Sequence, residues 1–197
     1  MSLFRYSPAP ESRSVVDIAP SYGLFIGGEM VEPTDGRRFK TIYPSSEELL
    51  SEVAEAGPAD VDAAVASARS AYSRVWSRMP GRERGKYLFR IARLIQERSR
   101  ELAVLETLDN GKPIRETRDV DIPLVAAHFF YHAGWADKLG YAGLGPNPRP
   151  HGVAAQVIPW NFPLLMLAWK VAPALATGNT VVLKPAETTP LTALAFA

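Results

Sequence analysis

The 197-residue chain contains no cysteine. That excludes disulfides, thiolate metal sites and a cysteine nucleophile within these residues, and it fits a cytoplasmic protein. Net charge is almost absent as well. The 22 basic and 21 acidic side chains leave +1, so nothing electrostatic argues for a nucleic-acid partner or a membrane surface. The N-terminus, MSLFRYSPAPESR, has no apolar core of signal-peptide length. Residues 152–169 form an uncharged, largely apolar run, but Gln156, Pro159, Asn161 and Pro163 interrupt it and Lys170 follows. That pattern predicts a buried strand, turn and helix rather than a membrane span. There is no internal repeat and no low-complexity tract.

Histidine is scarce, at three residues. His128 and His132 lie four apart on a predicted helix, which is metal-ligand spacing. No third ligand is evident and the neighbours are aromatic, so packing is the better reading. His151 sits in a proline-rich turn and is expected to be solvated. The cluster Arg82, Arg84, Lys86, Arg90 and Arg93 reads as the wet face of a helix, with no interleaved aromatic platform for nucleic acid. Trp169 is expected in the core.

What remains is ordinary globular composition: 47% hydrophobic and 22% charged residues suffice for a packed core. Residues 1–20, with Pro8, Pro10 and Pro20, read as an extended or mobile arm. Residues 23–31 look like a hairpin turning at Gly27-Gly28, and 38–43 and 49–55 like strands. Four helices follow from apolar spacing, over 60–76, 82–98, 101–109 and 119–138. Asp60 is placed to cap the first. Gly111 is placed to end the third, and Leu124, Ala127, Tyr131 and Trp135 mark the apolar face of the fourth. Residues 139–151 are a linker rich in Gly and Pro. Its Gly143-Leu144-Gly145 lacks a third glycine and a following helix, so it is not a phosphate loop.

Past the linker the pattern changes to strand (153–158), helix (from Pro163 to Gly178), strand (179–184) and helix, with Thr188 or Thr189 as the last cap. This order implies a parallel sheet with a right-handed crossover, and only two strands of it are present. Asn161 lies just past the carboxyl end of the first of these strands, where open α/β sheets bind ligands. Its amide suits a developing oxyanion, although an asparagine two residues before a proline can equally stabilise the turn into the helix. Lys184 and Glu187 follow the second strand. They could hold a nucleotide ribose, or be a solvated lysine and a glutamate favoured by a helix dipole.

Taken together, IPWNFP at 158–163 and LKPAE at 183–187, with 20 residues between Pro163 and Lys184, resemble the signature of the aldehyde dehydrogenase superfamily. LDNGKP at 108–113 and FFYHAGWA at 129–136 resemble further family segments, and the resemblance covers about residues 21–197. It implies an α/β fold: the N-terminal part of an aldehyde dehydrogenase, with an incomplete doubly wound parallel sheet after a helical and hairpin layer. Residues 21–138 would form the N-terminal layer of the coenzyme-binding domain. Residues 139–151 would be a shortened oligomerisation arm, and 152–197 the first β-α-β-α part of the Rossmann-like domain.

By the same resemblance, Asn161 would stabilise the tetrahedral oxyanion, and the backbone of Ile158, Pro159 and Trp160 would border the cofactor. Lys184 and Glu187 would hold the adenosine ribose, and Glu187 would repel a 2′-phosphate, favouring NAD over NADP. In the family a cysteine thiolate attacks a small aldehyde, hydride passes to the nicotinamide, and a glutamate activates water against the thioester. Nucleophile, base and glycine-rich cofactor turn would all lie beyond Ala197. The chain is therefore expected to be an inactive segment of such an enzyme. The short arm suggests a homo-oligomer that is a dimer rather than a tetramer, as in a two-module branch of the family. The alternatives are a non-catalytic nucleotide-binding or scaffold module and a pseudoenzyme.

Overall fold

Short strands lead into a layer of helices, and a strand–helix–strand–helix unit with a parallel strand pair closes the chain. The computed structural model describes residues 11–143, 145 and 148–197. Part of the expected arm (1–10) and Leu144, Pro146 and Asn147 of the linker lie outside the described residues. Strand β1 (Ser21–Tyr22) runs parallel to β5 (Leu49–Ala54), which pairs antiparallel with β4 (Arg38–Ile42). Strands β2 (Leu24–Ile26) and β3 (Glu29–Val31) form the expected hairpin. Gly27 and Gly28 both take positive φ there (68° and 93°), which glycine adopts without steric cost.

The helices are α1 (Pro58–Arg74), α2 (Gly81–Glu97), α3 (Ser99–Asn110), a single turn α4 (Ile114–Glu116), α5 (Ile122–Trp135), α6 (Pro163–Ala176) and α7 (Leu191–Phe196). Helix α1 begins earlier than its spacing predicts, with Gly57 as its cap, so Asp60 lies inside the first turn. From there its carboxylate accepts from the Gly57 N–H at 2.8 Å and the Thr34 N–H at 3.0 Å, which binds the helix start to the strand layer. Helix α3 ends at Gly111 (φ 79°, ψ 5°), as expected of a left-handed C-terminal residue.

Three expectations fail on packing. Helix α5 starts at Ile122 after a π turn over Thr117–Asp121, and it buries Ile122, Val125, Ala126 and Phe129. The face marked by Leu124 and Tyr131 is exposed. The helix is apolar on both sides, so spacing alone selects the wrong stripe. Trp169 is half-exposed, edge-on to His128, and not in the core. Arg84 is buried, not on a wet face. Its guanidinium donates to the carbonyls of Ala176 (3.1 Å) and Met79, which satisfies the end of α6.

The main core is built from α2, α3, α5 and α6, around Leu88, Phe129, Leu164, Leu167 and Ala172. A smaller one gathers Val53, Leu105 and Leu191, with Val16 and Ile18 packed against it. Strands β6 (Val153–Val157) and β7 (Thr180–Lys184) pair in parallel, Val153 opposite Thr180 through Val157 opposite Lys184. The β6 run is less buried than a central strand: Gln156 is enclosed, but Val157 is 66% exposed. Among the described residues, no helix is long and apolar enough to cross a membrane.

Candidate functional site

The parallel register puts the carboxyl ends of β6 and β7 level with each other. It continues one step further, because the Ile158 N–H donates to the Lys184 carbonyl at 3.1 Å. Ile158 is buried, while Pro159, Trp160 and Asn161 emerge beyond the strand end. Pro163 then starts α6. The same sheet edge carries Lys184 and Glu187, both exposed, with Lys184 Nζ 2.5 Å from Glu187 Oε1. Lys184 Nζ also donates to the Pro185 carbonyl at 3.2 Å. The ammonium holds the Glu187 carboxyl below the usual carboxylate range. A hollow of about 240 Å³ is lined by Trp160, Thr188 and Thr189 together with Pro44, Asp109 and Asn110.

All six residues singled out in the sequence thus stand at one sheet end. A strand end bearing a neutral amide, an ammonium and a carboxylate is chemically equipped to meet an oxyanion and a vicinal diol. Among the described residues the Asn161 side chain has no hydrogen-bond partner.

Sequence reasoning missed the residues beneath this edge. Glu106 is fully buried, and its Oε2 accepts the Leu164 N–H at 3.1 Å. Burial pushes its carboxyl up to about 7, with the nearby Asp121 acting in the same direction; the Leu164 N–H and Lys112 oppose the rise. Asp109, also buried and pushed up to about 7, accepts from the Thr41 hydroxyl (2.8 Å) and from the Leu191 N–H (2.7 Å). The cap of α7 therefore comes from α3 and not from Thr188 or Thr189. Lys112 Nζ lies 2.5 Å from the buried Asp121 and 3.6 Å from the centre of the Phe162 ring. A signal for the acids existed. Glu106 and Asp109 fall four and seven residues after Leu102, on the apolar face of α3, where a carboxyl must have partners.

The two histidines stack with ring centres 6.3 Å apart, and His132 Nδ1 lies 2.8 Å from the His128 carbonyl oxygen. Burial, and then His132, lower the His128 imidazole below its ordinary value.

Against known proteins, the profile described as "Aldehyde dehydrogenase family" matches residues 30–197. The chain is 48% identical over 179 residues to "Aldehyde dehydrogenase family 2 member B4, mitochondrial" of Arabidopsis thaliana, covering 86% of this chain and 33% of that protein. It is 46% identical over 181 residues to human "Retinal dehydrogenase 2", covering 87% and 35%. Among solved structures, PnpE in complex with nicotinamide adenine dinucleotide superposes with a TM-score of 0.83 at 40% identity, covering 89% of this chain and 37% of that one. PnpE is from Pseudomonas sp. WBC-3. The chain spans about a third of the length of the curated relatives it matches.

Proposed function

The chain belongs to the aldehyde dehydrogenase family, and from that premise we propose that it supplies the oxyanion donor and the adenosine end of the cofactor site in an NAD-dependent oxidation of an aldehyde to a carboxylic acid. The observation that carries this reading is the convergence of Asn161, the Trp160 segment and the Lys184–Glu187 pair at the shared carboxyl end of β6 and β7. The cofactor, when bound, supplies the hydride acceptor. Its fit rests on the donor set: one ammonium and one carboxylate side by side match a vicinal diol, which needs both an acceptor and a donor. The Glu187 carboxylate repels a 2′-phosphate, which favours NAD over NADP. The exposed Asn161 amide donates to the oxygen that gains charge when the aldehyde carbon is attacked. The attacking thiolate comes from outside these residues, since they include no cysteine. A dimer is proposed over a tetramer because only 139–151 occupy the place of the oligomerisation arm.

Two measurements test this. The pure 197-residue chain should show no NAD-dependent oxidation of an aldehyde; measurable turnover overturns the assignment of the nucleophile. Amide chemical shifts followed during NAD+ titration should move at Ile158, Trp160, Lys184 and Glu187, and less with NADP+. Glu187→Gln should narrow that difference. Shifts confined to other parts of the chain would refute the cofactor assignment.

A further inference from the structure

The loop carrying Asn161 is gripped at three points, all from one segment of the chain. The Asn110 side-chain amide donates to the Trp160 carbonyl. The Lys112 ammonium sits 3.6 Å over the Phe162 ring. The Glu106 carboxylate accepts the Leu164 N–H at 3.1 Å. The gripped residues, 160, 162 and 164, alternate along the loop and into the first turn of α6, and Asn161 falls between the first two. We infer that the C-terminal end of α3 is a positioning device for Asn161: it holds the residues on either side and leaves the exposed Asn161 amide without a partner among the described residues. The inference rests on the oxyanion role proposed above for Asn161.

The physical basis is the way α3 ends. Gly111 takes positive φ, so the chain turns back at once and brings Lys112 under the loop within two residues of Asn110. Lys112 is only 15% exposed and lies between the Asp121 carboxylate and an aromatic face. A cation so desolvated interacts more strongly with a ring than an exposed one does. Asp121 is itself fixed by the π turn before α5. The Glu106 contact is at the first turn of α6, whose amides have no partner within the helix. None of the three residues needs to touch substrate. Each removes a freedom that the loop would otherwise lose only when the reaction begins.

Hydrogen exchange of backbone amides in the 197-residue chain tests this without cofactor or activity. Lys112→Met keeps the stem and removes the charge. Asn110→Ala, at a half-buried position, leaves the Glu106 and Lys112 contacts in place and is the second variant if the first folds poorly. In each, the Leu164 amide at the end of the loop, which donates to Glu106, should exchange about tenfold faster, the equivalent of one hydrogen bond, while amides of α2 and the middle of α5 keep their rates. Lys112→Arg should restore slow exchange, because a guanidinium can serve both Asp121 and the ring. Unchanged loop exchange in both variants, or a rise shared equally by loop and core, would overturn the inference. Failure of the NAD+ titration with these results intact would remove the proposed chemistry and leave the loop anchor standing.

Discussion

Glu106 shows what burial does to a single carboxyl. Enclosed in the core and near Asp121, it releases its proton at about 7, against 4.5 for a free glutamate. The unfolded chain therefore gives up that proton first as pH rises. Between pH 4.5 and 7 the folded state holds more protons than the unfolded one, and stability falls across that window. The contribution is present in full below pH 4.5 and lost above 7, on the order of 3 kcal/mol for a shift of this size. Lys112 and the Leu164 N–H face the same group and oppose the shift. Glu106→Gln keeps an acceptor for Leu164 and cannot ionise. Urea unfolding should find the variant more stable than the wild type at pH 8, by about 1–3 kcal/mol, and nearly equal at pH 5. An identical difference at both pH values would refute the assignment. Asp109 adds a second case. Asp109→Ala leaves the Thr41 hydroxyl and the Leu191 amide without their acceptor, at a cost of about 1–3 kcal/mol. Faster amide exchange at the start of α7 should accompany that loss.

At the scale of elements, most of the fold was legible and the packing was not. The hairpin at Gly27-Gly28 and the end of α3 at Gly111 rest on local backbone chemistry, which sequence carries directly, and the parallel β6–β7 pair follows from the strand–helix–strand order. The side of α5 that is buried depends on what lies opposite, and its two apolar faces satisfy the same spacing. The close approach of α2 to α5 was equally hidden. A Cβ at Gly81 would stand 2.1 Å from the Ala136 carbonyl oxygen, and one at Gly85 would stand 2.9 Å from that of Ala133. Those glycines let backbone meet backbone. Gly81→Ala must push the helices apart and loosen Leu88 against Phe129. We expect a loss of about 2–4 kcal/mol, with a smaller loss for Gly85→Ala. Gly134 lies on α5 with nothing near its missing Cβ. Gly134→Ala should therefore stabilise, by up to about 1 kcal/mol. Thermal unfolding of the three variants checks the order; a stabilising Gly81→Ala would refute the packing argument. For the candidate site the same division holds. Asn161, Lys184 and Glu187 were singled out because IPWNFP and LKPAE resemble a family signature; their places after strands alone left local readings open. Glu106, Asn110 and Lys112 were not, because they reach the loop from 50 or more residues away.

For the molecule as a whole, the distribution of apolar surface sets its behaviour in solution. Val157 is 66% exposed, Trp160 64% and Tyr131 61%, and Leu124 and Trp169 add to the uncovered area. Strands β6 and β7 pair only with each other among the described residues, so each keeps an edge with free backbone donors and acceptors. An exposed apolar strand edge is a template for pairing with another chain, and a net charge of +1 gives little repulsion to prevent it. The isolated chain should therefore associate with itself, its weight-average mass in sedimentation velocity rising from low to high micromolar concentration. Val157→Lys places a charge at the end of β6, where solvent already reaches the side chain, so it should cost little stability and reduce the association. Tyr131→Glu tests the other surface, on α5. A drop in association with Val157→Lys alone identifies the sheet edge as the contact, and a drop with Tyr131→Glu alone identifies the α5 face. A chain that stays monomeric throughout the range would show that neither surface is adhesive enough to matter, against the argument from exposed area.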